Sequence, residues 1–155
     1  MRPVDSDVDW RQPRQRRELR DLPWLTISVI SAGGVMGALA RYGLSAAFPH
    51  APGSFDWVTL WINVTGCALI GALMVLISEV REAHRLARPF LGVGVLGGFT
   101  TFSTYIVDIQ KSITAGAPQT ALAYLAITLA GSLLAVYAGV MLTRLAARRH
   151  RKDRR

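Results

Sequence analysis

Four long apolar stretches, separated by short polar segments, limit the folds that are open to this chain of 155 residues. They cover residues 24–44, 58–78, 89–113 and 120–145, and charged side chains are nearly absent from them. A helix of about 20 apolar residues crosses the hydrocarbon core of a bilayer, which is about 30 Å thick. A soluble fold would carry charge along the outer face of each helix. The pattern therefore predicts an all-α membrane protein whose membrane domain, residues 24–145, has four transmembrane helices.

The basic residues are distributed unevenly around these stretches. Sixteen of the 18 lie in the arm 1–23, in the loop between the second and third stretches, or from Arg144 onward, and only Arg41 and Lys111 lie on the other side. Because cytoplasmic segments are rich in Arg and Lys, we expect both termini in the cytoplasm. The proline-containing arm 1–23 is predicted to be disordered, and residues 146–155 are predicted to form a basic cytoplasmic tail.

Several function classes find little support in the composition. The net charge of +8 raises nucleic-acid binding as an alternative, but the basic residues flank the apolar stretches, so no nucleic-acid partner is expected. The single cysteine, Cys67, lies inside a stretch, and the three histidines fall in separate polar segments without a shared ligand spacing. No nucleophile–base pair stands out, and we expect the protein not to be an enzyme.

The third stretch contains the nonapeptide GGFTTFSTY at residues 97–105. Adjacent glycines followed by threonines and a serine form a poor helix, so the third helix is expected to break there. Membrane helices break where the freed backbone groups line a cavity or bind an ion, and freed carbonyl oxygens suit a small cation. Phe102 and Tyr105 lie one turn apart, and the positive edges of their rings can face an anion. Ordinary aromatic and glycine packing is the alternative.

Polar side chains recur in two other stretches. Tyr124, Thr128 and Ser132 are spaced four residues apart in the fourth stretch, which places their hydroxyls on one helical face. Asn63, in the second stretch, either joins two helices by a hydrogen bond or belongs to a pathway. These four side chains predict a polar track through the membrane domain.

The remaining intramembrane features have simpler interpretations. Arg41 is interpreted as a side chain that reaches the membrane interface, and Asp108 as a side chain at that interface. Small residues recur every four positions, which lets helices approach closely and predicts tight packing against a second copy or a relative. These small residues are Gly33 and Gly37 in the first stretch and Gly131, Ala135 and Gly139 in the fourth.

Three segments, GGVMGALARY, WINVTGC and GVLGGFTTFSTY, resemble the signature segments of the bacterial fluoride channels, the Fluc or CrcB family. The resemblance covers all four stretches in order. It implies a bacterial inner-membrane protein that forms an antiparallel, dual-topology dimer with two fluoride pores. It also implies passive efflux of fluoride from the cytoplasm and a structural sodium ion at the dimer axis.

The resemblance also assigns roles to individual residues. The backbone carbonyls of Gly97 and Thr100 would hold the sodium ion. The anion pathway would comprise the second-helix asparagine, the aromatic pair and the fourth-helix track, which are Asn63, Phe102, Tyr105, Tyr124, Thr128 and Ser132. The family usually has phenylalanine at the position of Tyr105, so this chain departs from the pattern there.

The charge distribution bears on the partner subunit. A dual-topology homodimer needs chains inserted both ways in similar numbers, whereas this strong bias favours one orientation. We therefore expect an oppositely oriented paralogue as the partner, with a homodimer as the alternative. A small multidrug-type transporter is another possibility, although residues 24–78 offer no intramembrane carboxylate. A non-conducting accessory subunit of a heterodimeric channel is a third.

Overall fold

The computed structural model describes residues 24–51, 53–80 and 84–152, and these contain four helical spans long and apolar enough to cross a membrane. The spans are Trp24–Ala47, Trp57–Glu79, Arg88–Thr114 and Pro118–Arg149. This confirms the prediction of an all-α membrane protein with four spans. The predicted disordered arm, 1–23, lies outside the described residues.

The spans are built from five α-helices and two π-helical segments within the described parts of the chain. The first span is α1 (Trp24–Ala47), and the second is α2 (Trp57–Val75) followed by a π-helix, Leu76–Val80. The third consists of a π-helix, Arg88–Leu96, then α3 (Gly97–Phe99) and α4 (Ser103–Thr114). The fourth is α5 (Pro118–Lys152).

Helix α5 extends well beyond the fourth apolar stretch, which ends at residue 145. Its last turns therefore include most of the segment that was expected to form a basic tail. Alanine and arginine are good helix formers in water as well as in a membrane, so the helix does not need to end where the apolar residues end.

The four spans pack as two pairs. The second span (α2) lies along the fourth (α5), and the first span (α1) lies along the first half of the third. The two pairs meet where α4, the last part of the third span, contacts α5. The small residues predicted to pack against a second copy pack instead against other helices of the same chain. A methyl group on Gly33 would lie 2.6 Å from the Phe90 carbonyl oxygen, and one on Gly139 would collide with the Ala68 carbonyl. The spacing correctly indicates close approach, but here it brings together helices of the same chain.

Large apolar side chains are exposed on all four spans of the isolated chain. Examples are Leu39 at 63%, Trp61 at 59%, Val93 at 56% and Leu133 at 65% exposure. Such a surface suits a protein surrounded by lipid or by another membrane subunit, because neither environment penalises apolar exposure.

Candidate functional site

The third span breaks in its middle, inside the nonapeptide that predicts a break. Helix α3 ends at Phe99, Thr100 has an extended backbone with φ −74° and ψ 156°, and α4 begins at Ser103. The broken helix is therefore confirmed. The backbone groups around the break need partners outside a regular helix.

Asn63 supplies two of those partners from α2. Its Nδ2 donates to the Thr101 carbonyl oxygen at 2.9 Å, and its Oδ1 accepts from the Thr101 amide at 2.8 Å. Asn63 is 6% exposed. Its side-chain amide thus replaces a backbone partner for Thr101 and fastens the second span to the break. Two roles were considered for Asn63, a hydrogen bond that joins two helices and a place in a pathway. The structure shows the hydrogen bond, and the side chain also borders the groove described below.

The hydrogen bonds of Thr101 leave particular carbonyls without their helical donors. In an unbroken helix, the amide of residue i+4 donates to the carbonyl of residue i. The Thr101 amide, which would serve Gly97, donates to Asn63, and the Thr104 amide, which would serve Thr100, donates to Thr101 Oγ1 at 3.2 Å. The carbonyls of Gly97 and Thr100 are therefore released from the donors that a continuous helix would give them.

Arg41 also contacts the break, which corrects its interpretation as a side chain that reaches for the interface. Its Nε donates to the Gly98 carbonyl oxygen at 3.2 Å. A sequence signal for this contact exists, because Arg41 shares a helical face with Gly33 and Gly37. Both glycines lie against the third span, so that face points toward the break.

An open groove of about 370 Å³ runs beside the break. Seven of the eight predicted site residues line it, namely Asn63, Gly97, Thr100, Phe102, Tyr105, Thr128 and Ser132. Cys67 also lines the groove, although the sequence predicts that it is a small buried apolar residue. Its position one helical turn after Asn63 on α2 is the signal that relates it to the groove.

The aromatic pair differs in exposure within this groove. The rings of Phe102 and Tyr105 have centroids 5.9 Å apart and an interplanar angle of 56°. Phe102 is 74% exposed, whereas Tyr105 is 6% exposed. The Tyr105 hydroxyl donates to the Leu125 carbonyl oxygen at 2.6 Å. The phenol that departs from the family pattern is thus fastened to α5, which fixes the orientation of its ring.

Tyr124 lies behind the groove and supports its aromatic wall. Its ring meets Tyr105 edge-on with centroids 5.2 Å apart. In the portion of the chain that the structure describes, the hydroxyls of Tyr124 and Thr128 are buried without a hydrogen-bond partner. A buried hydroxyl without a partner costs about 1–3 kcal/mol. These two hydroxyls of the predicted track are therefore available to form a hydrogen bond with a ligand.

The substitution Tyr105→Phe tests whether the phenol is only an anchor. It removes one hydrogen bond and keeps the ring, which should lower the free energy of unfolding by about 1 kcal/mol. We expect ion transport to change by less than about fivefold, since about 1 kcal/mol corresponds to a factor of about five. Thermal unfolding in detergent and ion flux from liposomes measure the two effects, with Tyr42→Phe on the exposed face of α1 as the matched control. Loss of transport in Tyr105→Phe alone would contradict the anchor role.

Comparison with known proteins gives one family. A family model described as "CrcB-like protein, Camphor Resistance (CrcB)" matches residues 28–140. "Fluoride-specific ion channel FluC 2" of Streptomyces avermitilis is 55% identical over 119 residues, covering 77% of this chain and 75% of the relative. "Fluoride-specific ion channel FluC 1" of Streptomyces coelicolor is 53% identical over 111 residues, covering 72% of each chain. A second Streptomyces avermitilis relative, "Fluoride-specific ion channel FluC 3", is 41% identical over 90 residues, covering 58% of this chain and 44% of the relative.

Proposed function

Because this chain belongs to the CrcB family of ion channels, we propose that it is a subunit of a fluoride channel through which fluoride leaves the cytoplasm passively. The observation that carries the proposal is the groove beside the break. It brings together the unpartnered hydroxyl of Thr128, the hydroxyl of Ser132 and two aromatic rings in the middle of the apolar spans. Fluoride efflux from liposomes tests the proposal.

The groove offers fluoride replacements for its water shell. The hydroxyls of Thr128 and Ser132 can donate to the anion, and the ring edges of Phe102 and Tyr105 present partial positive charge. The side chains that line the groove carry no formal charge. A conducting site must bind the ion well enough to admit it and weakly enough to release it. Neutral donors in a row meet both conditions, and passive permeation follows.

A second subunit is needed to complete the pathway. Phe102 is 74% exposed and its neighbour Ser103 is exposed at the same break. Irregular backbone and polar side chains do not face lipid in the hydrocarbon region. We therefore propose that the groove becomes a pore when a second subunit, inserted in the opposite orientation, covers this face.

The charge bias favours a paralogue as that subunit. The described arginines at the cytoplasmic ends include Arg144, Arg148 and Arg149, which all lie on α5. A single orientation of this chain requires a partner of different sequence with the opposite bias. Streptomyces avermitilis carries relatives named FluC 2 and FluC 3, which supports the idea of paired subunits.

A reporter fused to the C-terminus tests the single orientation. We expect at least about 90% of the signal from the cytoplasmic side, because 16 of the 18 basic residues lie on one side of the spans. The matched variant replaces the three loop arginines, Arg81, Arg85 and Arg88, with glutamine; 13 of the remaining 15 basic residues still lie on the same side, so its signal should stay cytoplasmic. Comparable signal from both sides in the parent would contradict the heterodimer and favour the homodimer.

The broken helix also supports a structural sodium ion. The released carbonyls of Gly97 and Thr100 are hard oxygen ligands of the kind that small cations prefer. Gly97 is exposed on the isolated chain, so an ion held there can also meet a second subunit. A bound cation supplies fixed positive charge beside the anion pathway. Arg41 and Asn63 hold the break open around these carbonyls.

A further inference from the structure

Three ionisable side chains meet at the end of the bundle that carries loops 48–56 and 115–117, which we call the short-loop end. His50, Asp56 and Asp108 each offer one possible metal-ligand atom, and these atoms all lie within 4.8 Å of one another. They come from the first loop, the start of α2 and the middle of α4. None of them is used in the anion pathway proposed above.

The two carboxylates of this group are buried, and one of them is only partly satisfied. Asp56 and Asp108 are each 4% exposed. Asp56 caps α2 by accepting the amides of Val58 and Thr59 through Oδ1. Within the described stretches of chain, Asp108 Oδ2 finds no hydrogen-bond partner. A buried carboxylate oxygen without a partner is costly, which points to a group that the protein alone does not supply.

Lys111 is the cation nearest to Asp108, and it does not satisfy the group. Its Nζ donates to Asp108 Oδ1 at 3.1 Å, and its side chain is 58% exposed. The two carboxylates and the one ammonium together carry a formal charge of −1. A net negative charge on two buried carboxylates favours binding of a cation.

We propose that His50, Asp56 and Asp108 form a binding site for a divalent transition-metal ion of the zinc class. Imidazole nitrogen and carboxylate oxygen are both good ligands for Zn²⁺, at about 2.0–2.2 Å. In a tetrahedral site, ligand atoms at these distances are about 3.4 Å from one another, so the cluster, whose ligand atoms lie within 4.8 Å of one another, must contract around the ion. His50 has 31% of its side chain exposed, so it can close the remaining gap. Water molecules would complete the coordination.

The position of the site suggests how a bound metal affects transport, and this step rests on the proposed function. Asp108 lies one helical turn beyond Tyr105 on α4, and the Tyr105 ring packs edge-on against Tyr124. A divalent ion would change the formal charge of the cluster from −1 to +1. Positive charge at the mouth of a pathway raises the local concentration of anions. Bound metal should therefore increase fluoride entry from the short-loop end.

Calorimetric titration of the purified full chain in detergent with Zn²⁺ alone tests the site. We expect one Zn²⁺ per chain, and at least about a tenfold loss of affinity in His50→Ala and in Asp108→Asn, because even indirect support of a metal ligand is worth about 10–100-fold. The control is His84→Ala combined with His150→Ala, which leaves His50 as the single histidine and should bind like the parent. No binding by the parent, or equal binding by His50→Ala, would overturn the site.

Fluoride flux that enters at the short-loop end, measured with this chain and its partner subunit together in liposomes, tests the effect of Zn²⁺ on transport separately. We expect Zn²⁺ to speed this flux through the parent channel by about two- to tenfold, within the range of electrostatic steering, and to leave His50→Ala unaffected. Flux that does not respond to Zn²⁺ while the parent binds the metal would remove the effect and keep the site. A complete channel that binds Zn²⁺ but moves no fluoride would instead count against the proposed function.

Discussion

Fluoride efflux is expected to fall about a hundredfold when Asn63 is replaced by leucine. Leucine has a similar volume, but it cannot bond the amide and carbonyl of Thr101, which Asn63 holds at 2.8 and 2.9 Å. Two buried backbone groups would lose their partner in an apolar environment, at a combined cost of about 3 kcal/mol. Each 1.4 kcal/mol changes an equilibrium constant by a factor of about ten, so the equilibrium constant between the ordered and the disordered break falls about a hundredfold.

The matched control for this substitution lies on the same helix. Thr65→Val also removes a polar group from α2, but the Thr65 hydroxyl bonds only within its own helix, to the Trp61 carbonyl at 2.6 Å and the Ile62 carbonyl at 3.2 Å. We expect Thr65→Val to keep efflux within about twofold of the parent, because local back-bonding of this kind contributes little. Parental efflux from Asn63→Leu would show that the bond to Thr101 does not matter for conduction.

The substitution Gly37→Ala should have a large effect on stability. A methyl group there would collide with the Val95 carbonyl and lie 2.7 Å from the Phe99 amide nitrogen. Both obstacles are backbone atoms of the third span, so neither can rotate away. Forcing extra volume into a packed contact costs about 1–3 kcal/mol, which corresponds to a fall in melting temperature of about 2–12 °C.

Gly43→Ala is the control, since it makes the same chemical change on the same helix. No atom of the described residues lies within 4 Å of a methyl group at Gly43. Alanine is about 0.5–1 kcal/mol better than glycine inside a helix, so the melting temperature should stay the same or rise. Thermal unfolding in detergent compares the two variants. Equal melting temperatures would contradict the close contact between α1 and the third span.

The sequence predicts the spans and the break well because both depend on local properties. A stretch of about 20 apolar residues defines a membrane helix whatever surrounds it. Two glycines followed by Thr100 and Thr101 weaken a helix through intrinsic propensity alone. The hydroxyl track follows from the helical repeat, and Thr128 and Ser132 do line one groove.

The contacts of single side chains are harder to predict, because they depend on which helix lies opposite. The spacing of Gly33 and Gly37 indicates a closely packed face, but it does not say that the third span of the same chain occupies it. Once that packing is known, the bond from Arg41 to Gly98 follows. Asn63 is ambiguous in sequence for the same reason, since its partner Thr101 is 38 residues away.

The short-loop end is less predictable still. His50 and Asp56 come close to Asp108 because the segment just before α2 lies beside the middle of α4. That segment has no regular repeat, so spacing along the chain gives no indication that these groups meet. Asp108 is 4% exposed in the isolated chain, and its interpretation as a side chain at the membrane interface stays a prediction.

Fluoride efflux from liposomes, recorded with a fluoride electrode, tests the central proposal most directly. Three preparations are needed: this chain alone, its oppositely oriented paralogue alone, and both together. We predict rapid fluoride efflux from the liposomes that contain both chains, little from either chain alone, and no comparable chloride efflux. Absence of fluoride efflux from all three preparations, with each protein folded and inserted, would contradict the assignment of this chain as a fluoride channel subunit.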